Sequence, residues 1–377
     1  MAHNILYLHE TAMFSGAENS LLNLILNLNI EKFNAVVACP LKGPFVDRLE
    51  ALGVKAYPLE FPGVRQLIGV RATVNRLRDI IRKEKIALIH SNSIRTHIYA
   101  WLAGHRLKIP VIWHQRNLIE KEIIDPDRML SFLPDAIICN STAIANRFIR
   151  QGSLPEKVHI IYNGVDTAIF HPHINGDGMR RKFGIAREEI VIGIASRFSK
   201  NKGHETFLRA AGKLLTEASP GREKLRFLIA GGAVFTEDME RDEALRGMTR
   251  SLGIEDKVIF TGFVKDMPEV YAMMDIFVLA SEAEPCGRVI FEAMACGKPM
   301  VGTGTGGTSE IAAEWETAIL VSPEDPDAMA GAIKTLLDDK DKRDMMGCLA
   351  RKRVKELFGI EKNVRKTEAL YQQLLKP

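Results

Sequence analysis

Short apolar runs recur along the chain and alternate with stretches whose apolar residues return every three or four positions. Ile5 to Leu8, Ala35 to Cys39, Ala87 to His90, Val111 to Trp113 and Ala136 to Cys139 read as strands. Ile190 to Ala195, Phe227 to Ala230, Val258 to Thr261 and Ile276 to Ala280 continue the series. An uninterrupted apolar run suits a parallel strand covered on both faces. Ser20 to Leu28, Arg71 to Lys85, Val289 to Cys296 and Glu361 to Leu375 carry instead the period of a helix with one buried face. Strand and helix in alternation predict α/β architecture with parallel, doubly wound sheets, whose ligands sit at the carboxyl edge.

At 377 residues, 46% hydrophobic and 26% charged, the chain can support two such sheets. Beyond Asn163-Gly164-Val165-Asp166, the prolines and the glycines at 176 and 178 make a polar, turn-rich segment before periodic structure resumes.

Composition narrows the function. Cysteines at 39, 139, 286, 296 and 348 form no C-x-x-C pair and no metal spacing with histidine, so reduced thiols are expected rather than a disulfide framework or structural zinc. Met-Ala-His-Asn puts no basic residue before its short apolar run, and no stretch has the apolar length of a membrane span, so a cytoplasmic protein is expected. The formal charge is +4, and the first 168 residues hold twenty basic against fifteen acidic residues. Between Val64 and Lys85 the ratio is seven to two. There Val70, Val74, Leu77 and Ile81 share one helical face, and Arg71, Arg78, Arg82 and Lys85 gather on its neighbour. Such a face is a solvated basic helix, or one attracted to an anionic leaflet at the inner side of the cell membrane or to a phosphate-bearing acceptor. Nucleic acid is excluded as a partner, because no aromatic platform accompanies the basic residues.

The densest chemistry lies in Ser281 to Ile311, S-E-A-E-P-C-G-R-V-I-F-E-A-M-A-C-G-K-P-M-V-G-T-G-T-G-G-T-S-E-I. A strand, the turn Cys286-Gly287 and a helix start form an anion site, since the first amides near Gly287, Arg288 and Val289 point outward with the helix dipole behind them. Glu284 stands at the mouth of the turn to accept from sugar hydroxyls. Glu292 lies about two turns further on, within reach of ribose hydroxyls. Two glutamates at this spacing are more commonly a solvated helix face. Upstream, Arg197 and Lys202 follow a strand on one loop, where a guanidinium fork and an ammonium can both engage a diphosphate. His90, Asn92 and His114 fall at strand ends. Glycines 302, 304 and 307 fit G-x-G-x-x-G, but the preceding strand is too short and no long helix follows, which argues against a dinucleotide fingerprint. Asp125-Pro126-Asp127 and Asp325-Pro326-Asp327 read as turn or helix-start chemistry rather than as a metal-binding D-x-D.

The combination resembles the retaining family-4 glycosyltransferases, a GT-B fold family with the pattern E-x-F-G-x-x-x-x-E-A-M-A-x-G-x-P-V-V followed by G-G-x-x-E. Glu284, Gly287, Glu292, Ala293, Met294, Ala295, Gly297, Pro299, Gly306, Gly307 and Glu310 fall on it, and Cys286 replaces an aromatic. Arg197, Lys202 and Gly203 match the family's G-R-L-x-x-x-K-G element, with Ser196 in place of its glycine. Asn163 to Pro172 is similar to its interdomain N-G-V-D-x-x-x-F-x-P linker, which implies domains over 1–168 and 169–360 with a terminal helical stretch over 361–377.

The resemblance implies two Rossmann-like domains facing across a cleft, the first taking the acceptor and the second the nucleotide sugar, with the terminal helix crossing back to the first. It implies that His114, in W-H-Q-R-N, contacts the transferred sugar. Gly16, where Ser15-Gly16 replaces a glycine pair, would face donor phosphates or acceptor, and the backbone at Gly262 and Val264 would read the base. The implied activity is retaining, metal-independent transfer of a hexose-type sugar from a nucleoside-diphosphate sugar to a saccharide, glycolipid or small metabolite, in cell-surface polysaccharide or glycolipid synthesis. No cofactor is expected. A GT-B sugar-nucleotide epimerase and a non-catalytic sugar-nucleotide-binding protein remain the alternatives.

Overall fold

The computed structural model describes residues 2–118, 125–149, 155–216, 221–232 and 236–376. The chain divides into two compact units, one of residues 1–164 with 360–377, the other of residues 165–359.

The first unit is a seven-stranded parallel sheet in the order β3-β2-β1-β4-β5-β6-β7. Its strands are β1 (His3–Leu8), β2 (Phe33–Cys39), β3 (Lys55–Pro58), β4 (Ile86–Ser91), β5 (Val111–Gln115), β6 (Ala136–Cys139) and β7 (Val158–Ile160). The apolar runs supply the inner strands, where Ile5, Leu6, Tyr7, Leu8, Leu88 and Ile112 are wholly buried. The edge strands β3 and β7 lie outside the predicted set, because half-buried edges have no reason to be continuously apolar. The terminal helix Ile360–Leu374 belongs to this unit and packs Ile360, Val364, Leu370 and Tyr371 against Ile5, Tyr7 and Leu21. Gly164 admits that crossing, since a Cβ there would lie 2.7 Å from the Ile360 Cα.

The second unit is a six-stranded parallel sheet in the order β10-β9-β8-β11-β12-β13. Its strands are β8 (Ile190–Ala195), β9 (Leu225–Ala230), β10 (Val258–Gly262), β11 (Ile276–Leu279), β12 (Met300–Thr303) and β13 (Ala318–Val321). Strand order reverses between β1 and β4 in the first sheet and between β8 and β11 in the second, the positions where doubly wound sheets open a crevice for ligands.

The expected boundary after residue 168 moves to 164, and the terminal unit begins at Ile360. Val165 donates its amide to the Phe358 carbonyl at 3.0 Å. Arg351, on the helix Lys340–Leu357, donates to the carbonyls of Thr167 and Phe170 at 2.9 and 2.7 Å. These bonds hold residues 165–170 to the second unit.

Candidate active site

In the second unit the site is built from loops leaving adjacent strands at the switch point. The loop after β8 turns at Gly203, whose φ of +66° and close approach to the chain both demand glycine, since a Cβ would sit 1.9 Å from the Ala280 carbonyl oxygen. That turn places Lys202 beside the loop following β11. The Lys202 ammonium donates to Glu284 Oε2 at 2.6 Å, and Ser281 Oγ donates to the same oxygen at 3.2 Å. Glu284 Oε1 has no hydrogen-bond partner among the described residues. The loop is fastened on both sides: the Glu282 amide donates to Asn201 O at 3.0 Å and the Gly307 amide to Glu284 O at 2.8 Å.

Gly287 caps the helix Arg288–Ala295. A Cβ at Gly287 would stand 3.0 Å from Glu284 Cδ, so glycine lets the carboxylate lie directly over the helix start. The helix is buried along most of its length rather than amphipathic, with Ile290 through Ala295 all buried. Glu292 lies one turn into this helix, which begins at Arg288. Its carboxylate accepts from the Tyr271 hydroxyl at 2.8 Å and pairs with Arg288. Burial, reinforced by the Glu292 charge, pushes the Tyr271 phenol well above its ordinary range and keeps it a donor. Glu284 and Glu292 are 5% and 4% exposed, which rules out a solvated face. Cys286 is buried beside them, and Val289 is half-buried.

Arg197 follows β8 on the same loop as Lys202. Its guanidinium is turned toward Asp238, on the helix following β9, at 3.9 Å, and the side chain is 41% exposed. The turn after β10 places Gly262 at φ +66°, and its carbonyl accepts from the Gly231 amide and the Thr261 hydroxyl at 3.2 and 2.8 Å. Val264 is half-buried there, while Phe263 between them is 73% exposed. Phe263 thus stands as an exposed aromatic within the strand end expected to read the base.

In the first unit, His114 is the last but one residue of β5 and is 5% exposed. Its Nδ1 lies 3.0 Å from His90 Nε2 and 3.3 Å from Arg116 Nη2, while its Nε2 has no partner among the described residues. Arg116 also donates to Asn163 at 3.1 Å and Asn92 at 3.3 Å, so the linker asparagine and two strand-end residues meet on one guanidinium. Burial and then the Arg116 charge hold both histidines well below their ordinary range, and both rings are neutral. His90 Nδ1 reaches the Tyr371 hydroxyl at 2.5 Å. Arg116, Tyr7 and Tyr371 were not anticipated. Arg116 stood in the quoted W-H-Q-R-N, but Tyr371 is remote in sequence.

Gly16 is the first residue of the helix Gly16–Leu26, which starts four residues before the expected Ser20. Glu18 accepts from the Ser15 amide at 2.8 Å and from His9 at 2.5 Å. Burial opposes ionisation of Glu18, but the His9 contact overcomes it and holds the carboxyl at about 2. Asp125 and Asp325 each cap a helix, accepting from the amides of Arg128 and Ala328. Among the described residues no three His, Cys, Asp or Glu side chains converge to hold a metal.

Two parallel-sheet units, with a lysine–carboxylate pair over a helix start at one switch point, define a GT-B glycosyltransferase drawing on a nucleoside-diphosphate sugar. The comparisons with known proteins identify the family. Residues 177–353 match the family model for glycosyl transferases group 1, and residues 14–169 match that for glycosyltransferase family 4. A glycosyltransferase of Methanocaldococcus jannaschii is 31% identical over 309 residues, 78% of this chain and 76% of that protein. The N-acetyl-alpha-D-glucosaminyl L-malate synthase of Bacillus anthracis is 27% identical over 81% of this chain and 79% of that enzyme. Among solved structures, Anabaena HepE in complex with UDP-glucose superposes with a TM-score of 0.85 at 25% identity, covering 98% of this chain and 99% of that one. A Rickettsia africae glycosyltransferase shares the fold, with a TM-score of 0.88 at 19% identity and coverage of 100% and 99%. The chain belongs to the glycosyl transferases group 1 family of GT-B enzymes.

Proposed function

We propose that the chain transfers a hexose-type sugar, with retention and without a metal, from a nucleoside-diphosphate sugar bound by the second unit to an acceptor hydroxyl. The observation that carries this reading is the Lys202 ammonium seated at 2.6 Å against Glu284 beside the helix start. An ammonium has three donors, so Lys202 can keep Glu284 and still take a phosphate oxygen. As the sugar–phosphate bond breaks, negative charge accumulates on the diphosphate, and Lys202 with the amides at Gly287, Arg288 and Val289 stabilises it more in the transition state than in the ground state. Arg197 swings from Asp238 to the same anion. The open Oε1 of Glu284 accepts from sugar hydroxyls, and Glu292 uses its remaining lone pairs on the ribose. Gly262, Phe263 and Val264 line the base, and Cys286 packs beneath the phosphate turn. In the first unit His114 meets a sugar hydroxyl, and Gly16 admits a ligand to its helix start. Attack is front-face, with the departing phosphate taking the acceptor proton, since among the described residues we assign no carboxylate as a covalent nucleophile.

A UDP-sugar is the donor proposed, since the HepE structure holds UDP-glucose. The acceptor is a saccharide or glycolipid of cell-surface polysaccharide synthesis, or a small metabolite as the name of the B. anthracis relative indicates. NMR of reaction products tests the reading. An α-linked product from an α-linked donor, formed undiminished in a chelator, supports it. Inversion, chelator-sensitive transfer, or conversion of the donor to an epimer without acceptor contradicts it.

The protein also docks on an anionic membrane, through a different patch from the basic face expected. The helix spans Leu67–Lys83, so Lys85 falls outside it. Arg78 is turned inward and donates to the Leu102 carbonyl at 2.8 Å. Val64, Leu67 and Ile68 instead project at 58%, 76% and 90% exposure beside exposed Arg65 and Arg71. An apolar tip ringed by cations suits a bilayer carrying acidic headgroups. Among the described residues no helix is long and apolar enough to cross a membrane.

A further inference from the structure

We infer that Arg116 and Tyr371 fix the tautomers of His90 and His114 from opposite ends, so that His114 presents Nε2–H as a hydrogen-bond donor and Tyr371, on the terminal helix, is a positioning residue for transfer. The assignment of His114 to substrate rests on the function proposed above; the tautomers do not.

Each proton is placed by its neighbour. A guanidinium has donors only, so Arg116 Nη2, 3.3 Å from His114 Nδ1, requires a bare lone pair there. The neutral ring then carries its single proton on Nε2. His90 Nε2 approaches the same Nδ1 at 3.0 Å and must therefore be protonated, which leaves His90 Nδ1 as an acceptor. The Tyr371 hydroxyl, 2.5 Å away, donates to it, and the Tyr7 hydroxyl, 3.0 Å from that of Tyr371, donates in turn. Burial holds both phenols above their ordinary range, so the string has no ionised member. The reverse assignment would aim an N–H of His114 at the N–H groups of Arg116, a like-signed contact in a buried site.

The string ends at His114 Nε2, which is buried and has no partner among the described residues. A buried donor left unsatisfied is costly and is normally paired, so a ligand oxygen completes it. Nε2–H binds a hydroxyl or phosphate oxygen but cannot accept a proton. His114 is thereby excluded as the general base at that atom, in keeping with proton transfer to the departing phosphate. The terminal helix accordingly sets the polarity of a substrate contact at the end of β5.

The test is a long-range 15N–1H correlation spectrum of the full chain labelled in histidine, without substrate, with His114 assigned by loss of its signals in His114→Gln. The inference predicts a protonated Nε2 and an unprotonated Nδ1 on His114; an Nδ1–H tautomer or a mixture overturns it. Tyr371→Phe, checked for folding by circular dichroism, removes the donor to His90. It is expected to lower kcat by about tenfold while leaving the donor KM within about twofold. Wild-type turnover in Tyr371→Phe overturns the positioning role. A wild-type chain that turns over no nucleotide sugar defeats the functional reading and the positioning role with it, and is separable because the spectrum needs no substrate.

Discussion

The Lys202 ammonium and the Glu284 carboxylate meet at 2.6 Å from loops that leave neighbouring strands, β8 and β11. Neither loop supplies the pair alone. Gly203 brings the lysine in, and Gly287 makes room for the glutamate over the helix start.

Gly287→Ala tests how tightly the pair is held. The added methyl lies 3.0 and 3.1 Å from Glu284 Cδ and Cγ, closer than packed carbons tolerate, so the carboxylate must move a few tenths of an ångström. Turnover should fall by about tenfold or more, because small displacements of a positioning group are costly to rate. Stability should change little, by about 1 kcal/mol or less. Kinetics with thermal unfolding checks this; wild-type turnover would show that the Glu284 position is not critical.

Gly16 separates function from folding. Its φ is not positive and a Cβ would meet nothing within 4 Å, in contrast to Gly43, whose φ of +147° and 2.4 Å approach to the Ala12 carbonyl make glycine structural. Gly16→Ala should therefore keep or slightly raise Tm. If a ligand closes on this helix start, turnover falls by about tenfold. Equal activity would remove Gly16 from the site.

Much of this was legible in the sequence. Apolar runs marked the inner strands, and Glu284, Gly287 and Lys202 stood in motifs whose loops share one sheet edge. The rest depends on contacts that no local pattern encodes. Tyr371 meets His90 across 281 positions. Arg197 looks like a partner of Lys202 by spacing, yet the helix after β9 offers it Asp238. Arg78 lies in the basic pattern, but the Leu102 carbonyl lies within its reach and draws it inward.

Asp127 makes stability depend on pH. Burial raises its carboxyl from 3.8 to about 6, against the opposing Gln115 hydrogen bond and Arg147 charge. Below the unfolded value both states hold the proton and the group contributes nothing. Between pH 4 and pH 6 the unfolded chain ionises first, and by pH 7 the folded state is penalised by about 3 kcal/mol. Asp127→Asn can still accept from Gln115, so its stability advantage over wild type should grow across this window in urea unfolding. Parallel pH profiles would contradict the shift.

The exposed tip makes a direct prediction for membranes. Co-sedimentation should find the protein on vesicles containing phosphatidylglycerol but not on phosphatidylcholine alone, with binding weakened by salt. Leu67→Glu combined with Ile68→Glu should abolish it and leave nucleotide binding intact. Equal binding to both vesicle types, or by the variant, would contradict docking through this tip.

Calorimetric titration with UDP, GDP and ADP and their glucose conjugates tests the central claim most directly, using wild type and Lys202→Gln. The glutamine keeps a donor for Glu284 and removes the charge. The account predicts saturable binding of a nucleoside diphosphate and its sugar to wild type, weakened in Lys202→Gln, whose turnover falls about a hundredfold or more. Absence of binding across the panel, or binding unaffected by loss of the Lys202 charge, would contradict it.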